Sequence, residues 1–146
     1  MVTNVTLREV RDADLELFFG HQLDVEAARI AGVQVRSRET FLAHWARIRP
    51  EVTNMLRTIE VDGVVAGNIT SWFDRDLGMR LVGYRIDRAF WNRGVTTAAV
   101  KQFVTLISRP VRAFVSPGNV ASWKVLERAG FTRIAEADRT FTYELR

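Results

Sequence analysis

From Phe90 to Ala98 the chain reads Phe-Trp-Asn-Arg-Gly-Val-Thr-Thr-Ala. A run of small residues with one glycine, leading from a strand into a helix, leaves backbone N–H groups unpaired at the helix N-terminus. The helix dipole adds about half a positive charge at the same place. Such a turn suits a phosphate or pyrophosphate. Gly94 gives the backbone angles closed to other residues and lets a ligand approach, and Arg93 adds a full charge beside it. The same residues would also serve as a plain strand-to-helix connection, so the rest of the chain has to decide.

Other chemistries are closed off by composition. The chain has no cysteine, which removes disulfides, thiolate metal sites and a cysteine nucleophile together. His21 and His44 are the only histidines, too few for a zinc site, and no metal is expected. The net charge is +4, and Lys101 and Lys124 are the only lysines. The arginines are spread from Arg8 to Arg146 without a dense run, so an anionic small ligand explains the charge better than nucleic acid does. Met1 to Leu7 lacks the layout of a signal peptide, and no apolar run approaches the ~18 residues of a membrane span. The expected location is the cytoplasm, with no membrane partner; a homodimer is compatible with the sequence.

The elements that would position the turn follow from periodicity. Residues 1–146 are read as one domain, with 47% hydrophobic and 26% charged residues. Val5 to Val10 alternates like a strand. Asp12 or Asp14 can cap a helix whose apolar stripe is Leu15, Phe18, Phe19 and Leu23. Asp24 starts a second short helix, which Gly32 ends. Ser37 caps a third, with Phe41, Leu42, Trp45 and Ile48 at helical spacing and Pro50 closing it. Met55–Val61 and Val64–Phe73 read as strands around the hairpin signal Asp62-Gly63. A third strand runs from about Met79 to Ile86. After the turn, a helix from Ala98 to Ser108 presents Val100, Phe103, Val104 and Ile107 on one face. Val111–Val115 is a strand, parallel to the one before the turn by a right-handed crossover. Asn119 can cap a last helix through Ala129, and Thr132–Asp138 with Arg139–Leu145 closes the chain as an antiparallel pair. The expectation is an α/β domain: a mixed, mostly antiparallel central sheet with helices on both faces.

These residues resemble a known family. The turn Trp91-Asn92-Arg93-Gly94-Val95-Thr96, the pair Gly83-Tyr84, and the run from Asn119 through Ser122 to Gly130-Phe131 are similar to the GCN5-related N-acetyltransferases. The branch they most resemble includes ribosomal-protein N-terminal acetyltransferases. The resemblance implies the acyl-CoA N-acyltransferase fold, with its splayed parallel strand pair. It implies direct transfer of an acetyl group from the cosubstrate acetyl-CoA to a primary amine of a protein or small-molecule acceptor. The alternative is an acetyl-CoA-binding sensor or regulatory module without catalysis. Two positions depart from the family's pattern. Thr96 stands where glycine or alanine is usual, and Leu126 stands where many relatives carry a tyrosine general acid, although an apolar residue is usual there in the similar branch.

The resemblance also implies site residues. The pyrophosphate would be held at Asn92, Arg93, Gly94, Val95, Thr96 and Thr97, with Trp91 opening the turn. The pantetheine arm would lie along the backbone near Tyr84, Arg85 and Ile86, and Asn119 would contact the cofactor. Ser122 would sit near the cofactor sulfur, touching cofactor and reaction alike, or would simply bond the local backbone. Tyr84 is a second candidate for proton transfer, or a rim residue. Asp74, Asp76, Asp87, Glu136 and His21 are candidate bases, each with a solvated alternative. Arg80 and Arg85 could steer an acidic acceptor or face solvent.

Overall fold

In a computed structural model that describes residues 4–146, the first strand, β1 (Val5–Arg8), is followed by three helices. These are α1 (Asp14–Gln22), α2 (Val25–Ala31) and α3 (Arg38–Ile48). A meander then runs through β2 (Met55–Val61), β3 (Val64–Asp74) and β4 (Met79–Ile86). Next come α4 (Val95–Phe103), β5 (Val111–Val115), α5 (Val120–Arg128), β6 (Thr132–Ala137) and β7 (Thr140–Leu145). The seven strands form one sheet in the order β1-β2-β3-β4-β5-β7-β6. All neighbours are antiparallel except β4 and β5. No described helix is long and apolar enough to cross a membrane.

Alternation along the strands divides the sheet into two faces. Ile59 and Val61 of β2 and Ala66 and Ile69 of β3 pack with Val95, Ala99, Val100 and Phe103 of α4. Leu56 and Val65 face the other way, against Phe18 of α1 and Phe41 and Trp45 of α3. The Asp62-Gly63 turn takes positive φ at both residues, 52° and 83°, which is the backbone a two-residue hairpin needs. Asp24 and Ser37 cap α2 and α3 through the N–H groups of Ala27 and Thr40, and Gly32 ends α2 in the left-handed region.

The parallel pair is short. Arg80 lies beside Val111 and Leu81 beside Arg112, and after those two positions β4 and β5 part. β4 instead stays paired with β3 to its end, Gly67 opposite Ile86. The approach there is close: a Cβ on Gly67 would lie 2.1 Å from the Arg85 carbonyl oxygen and 2.9 Å from the Ile86 Cα. Only a glycine fits. So β4 is pressed against β3 at the end where it has left β5, and the gap between β4 and β5 stays open.

Several boundaries differ from the sequence reading. The helix after the turn starts at Val95, not Ala98, and passes into a 3-10 turn at Val104–Leu106. Leu23 lies outside the α1 stripe and is half-exposed. α1 is capped at Ala13 without a side-chain bond. Asp14 is instead a buried polar anchor, 3% exposed. Its carboxylate takes two hydrogen bonds from the Arg8 guanidinium at 2.7 and 2.9 Å, one from the Thr58 hydroxyl at 2.7 Å and one from the Arg11 N–H at 2.8 Å. Arg8 also holds Glu60 at 2.7 Å. This network ties α1 to β1 and β2 across the sheet face.

Burial would raise the Asp14 pKa, but the hydrogen bonds from Arg8, Arg11 and Thr58 outweigh it and hold the group at about 2, against an ordinary 3.8. The folded value lies below the unfolded one, so the unfolded chain takes up the proton first as pH falls. The stabilisation is complete above about pH 4 and is lost toward pH 2, and is worth roughly 2 kcal/mol. Asp14→Asn should be less stable than wild type at neutral pH by at least that amount. In denaturant titrations the gap should narrow as pH falls from about 5 to 2; a gap independent of pH would contradict the assignment.

Candidate functional site

The open space between β4 and β5 forms a cleft of about 600 Å³. Three walls meet there: the end of β4, the N-terminal turn of α4, and the first turns of α5 with the loop before it. α2 closes the mouth with Ala27, Ile30 and Ala31.

The α4 wall is the turn singled out in the sequence. Asn92 and Gly94 both adopt positive φ, 60° and 75°. Gly94 occupies the N-cap position in the left-handed region, and no side chain caps the helix. The N–H groups of Val95, Thr96 and Thr97 precede the first intrahelical bond, which runs from Ala98 to the Gly94 carbonyl at 3.1 Å. They are therefore free for an anion. A Cβ on Gly94 would meet nothing within 4 Å, so its glycine is required by φ and leaves open space on that side. Trp91 is fixed by its indole N–H, which donates to the Ile86 carbonyl at 3.0 Å.

The β4 wall follows from strand geometry. The Asp87 N–H donates to the Ala66 carbonyl at 2.8 Å. Peptide groups alternate sides along a strand, so Arg85 turns its peptide to β3, while Tyr84 and Ile86 turn theirs to the edge that β5 has left. Side chains alternate between the faces. Tyr84 reaches across the gap to α5, its phenol oxygen 2.9 Å from the Ser122 Oγ and 3.2 Å from the Ser122 carbonyl. Arg85 points to the opposite face, within electrostatic reach of His21 of α1 and Asp24 at the start of α2, and is among the residues lining the cleft. Burial raises the Tyr84 pKa to about 12, with the Ser122 hydrogen bond opposing it. The phenol is a proton donor at neutral pH and not a base.

Of the residues expected from the sequence, Tyr84, Arg85, Ile86, Trp91, Asn92, Gly94, Val95, Thr96, Thr97, Asn119 and Ser122 all line the cleft. Arg93 does not: it turns back to donate to the Ala89 carbonyl at 3.3 Å, its guanidinium 5.5 Å from the Phe90 ring centre. Asn119 begins α5 but makes no side-chain cap. Its carbonyl accepts from the Ser122 and Trp123 N–H groups at 3.1 and 3.2 Å, leaving the amide side chain to the cleft. None of the candidate bases lines it. Asp74 accepts from the Leu77 N–H, and Glu136 pairs with Arg133. His21 stands 3.9 Å from Asp87, its Nδ1 buried without a partner. Burial lowers its pKa, with Arg85 adding to the fall and Asp87 opposing it. Sequence reading missed Lys124 and Arg128, which line the cleft from one face of α5. Their i, i+4 spacing in the last helix was the available signal. Among the residues lining the cleft there are three cations, Arg85, Lys124 and Arg128, and no carboxylate. Among the described residues no group of three or more histidine and acidic side chains could hold a metal ion.

Residues 4–132 match a family model described as an acetyltransferase (GNAT) domain. No curated protein sequence matches the chain. Among solved structures, a domain from Methanocaldococcus jannaschii superposes with a TM-score of 0.81 at 16% identity, covering 98% of each chain. The ribosomal alpha-N-protein acetyltransferase RimL in complex with coenzyme A gives 0.80 at 17% identity, over 98% of this chain and 94% of that one. An aminoglycoside acetyltransferase in complex with coenzyme A gives 0.78 at 16% identity, again over 98% and 94%. At these identities the likeness is one of fold.

Tyr84 and Tyr143 are the only tyrosines. Burial, helped by Glu127, raises the Tyr143 pKa as well. Folded protein should therefore show little phenolate at pH 10, where free tyrosine is about half ionised. Because the folded values exceed the unfolded ones, stability should decline as pH rises from about 10 toward 12. An absorbance titration reads both effects. Repeating the titration on Tyr143→Phe isolates Tyr84, and a phenolate at the free value in that folded variant would mean that Tyr84 is solvated and not sealed against Ser122.

Proposed function

As a member of the acetyltransferase (GNAT) family, this chain is an acetyl-CoA-dependent N-acetyltransferase, and we propose that it moves the acetyl group directly to a primary amine of a protein N-terminus or small-molecule acceptor. We take residues 1–146 as a single acetyltransferase domain, acting in the cytoplasm. The observation that carries this reading is one cleft in which an uncapped helix N-terminus, an unpaired strand edge and the Tyr84–Ser122 pair all face the same space.

The residues present fit the cosubstrate. The free N–H groups of Val95 to Thr97 and the open side of Gly94 suit a pyrophosphate. The Thr96 hydroxyl is placed in our reading as a further donor to it. Lys124 and Arg128 add positive charge on the far side of the cleft. The Tyr84 peptide group and the Ile86 N–H offer an edge along which an extended arm can be held, while the Ile86 carbonyl is taken by the Trp91 indole, and Asn119 offers its amide. Bound acetyl-CoA would supply an activated thioester with a thiolate as leaving group.

The chain's own task is then to orient and to manage protons. Holding two reactants in register can supply several kcal/mol of a barrier. Tyr84 keeps its proton at neutral pH, and its hydrogen bond fixes the Ser122 hydroxyl in the cleft wall. Together they can donate a proton where negative charge appears on a leaving group. With no histidine or carboxylate in the lining, the amine's proton passes to water at the cleft mouth.

Thiol release from acetyl-CoA, followed against a panel of peptides and small amines, tests the reading. Ser122→Ala should lower kcat by roughly tenfold with little change in acetyl-CoA affinity, because water can partly replace a lost donor. A serine that only supports the helix would instead lower the melting temperature and leave kcat per folded molecule unchanged.

A further inference from the structure

The cleft's cations are not alike. Lys124 and Arg128 stand on α5, on the Tyr84 side of the sheet. Arg85 stands on the other side, in electrostatic contact with Asp24 at the start of α2, whose Ala27, Ile30 and Ala31 also line the cleft. It is partly buried, and among the described residues its guanidinium makes no ion pair and no hydrogen bond. Its nitrogens keep contact with solvent, so it is a cation at the cleft wall whose donors are free for a ligand.

Every neighbouring charge that could serve is otherwise engaged. Asp24, the nearest carboxylate in electrostatic contact with Arg85, caps α2 through the Ala27 N–H and is gripped by both arms of Arg88. Asp87 faces His21 and the Ala89 N–H. The next cation, Arg36, is close enough to disfavour the charge on Arg85 further. Its main chain is fixed by Gln22, which donates to its carbonyl at 2.6 Å and accepts from its N–H at 3.1 Å. Asp24 opposes the effect of Arg36 without bonding Arg85. Arg80, the other arginine of β4, is by contrast satisfied by the Ser71 hydroxyl and the Thr53 carbonyl.

We propose that Arg85 receives a carboxylate of the acceptor, so that the substrate is an amine carrying a carboxylate close to its amino group. This rests on the transferase reading above. A guanidinium offers paired donors matched to a carboxylate, and a partly buried, unmatched one selects by charge: it rewards an anion and repels a polycation. Free amino acids and peptides with an acidic residue next to the N-terminus share this chemistry, whereas polyamines and aminoglycosides oppose it.

The test compares amino acids with their amides, peptides bearing Asp or Asn at the second position, and spermidine and an aminoglycoside as cations. Wild type should favour the carboxylate member of a pair by about tenfold or more in kcat/KM, expressed in the acceptor KM. The pair that shows the preference identifies the source, free amino acid or acidic peptide. Arg85→Gln should bring the ratio to about one, and Arg85→Glu should reverse it. Equal use of both members, or preference for a cation, would overturn the proposal while leaving the transferase reading intact. A rise in the acetyl-CoA KM in place of the acceptor KM would put Arg85 on the cofactor and also overturn it. Turnover of no amine at all would overturn the transferase reading and this proposal together.

Discussion

The contact on which the rest depends is the one between β4 and β3 at Gly67. There the Arg85 carbonyl sits where any side chain on residue 67 would begin. A sheet of seven strands would ordinarily close the space between β4 and β5 with hydrogen bonds. Here only Arg80 and Leu81 pair across it. β4 lies tight on β3, and past Leu81 its other edge leaves β5, so no strand pairs with it at Tyr84 and Ile86, where the Trp91 indole takes the Ile86 carbonyl. The chain turns at the end of that edge through two left-handed residues, Asn92 and Gly94, and starts a helix whose first N–H groups face the same space. An open strand edge and an open helix end thus border the same space.

The two sides of the gap are joined by side chains rather than by backbone. Tyr84 of β4 bonds Ser122 of α5. α5 in turn is held to the final hairpin, where the Arg133 guanidinium lies 3.8 Å from the Phe141 ring centre and 5.2 Å from that of Trp123, and the Tyr143 hydroxyl donates to Glu127 at 2.7 Å. On the other face, Asp14 and Arg8 fix α1, and the Phe18, Phe41 and Trp45 cluster fixes α3. α2, which carries the apolar wall of the mouth, is strung between these anchored helices. The α4–α5 side and the α1–α3 side of the molecule are therefore supported by separate cores. A change in acceptor preference need not disturb the phosphate turn.

Much of this was legible from local pattern. The limits of β2, β4 and β5 follow from alternation and bounding turns, and Asp24, Gly32 and Ser37 punctuate the helices as their chemistry dictates. The misreadings have local causes. Val95, Thr96 and Thr97 are β-branched or hydroxylated and read as turn, yet a first helical turn tolerates them. Asn119 has the residue type of a cap but leaves the task undone, and Asp14 looks like a surface cap until Arg8 and Thr58 arrive from elsewhere. What no local pattern carries is the pairing of Tyr84 with Ser122, 38 residues apart, or the lack of a partner for Arg85. Both are facts about distance in space. The family resemblance brought Tyr84 and Ser122 to attention separately, and the fold made them a pair.

The account's central claim is that close packing of β4 on β3 keeps the cofactor cleft open, and Gly67→Ala tests it most directly. The added methyl would collide with the backbone of Arg85 and Ile86, and displacement of β4 toward the gap that β5 leaves relieves the clash. Ile86 is the core residue the clash touches, so the variant should fold with a lowered melting temperature, and the rise in melting temperature that coenzyme A gives wild type by binding the native state should be lost or reduced to that of an at least tenfold weaker site. A folded Gly67→Ala protein that coenzyme A stabilises as much as wild type would contradict the claim.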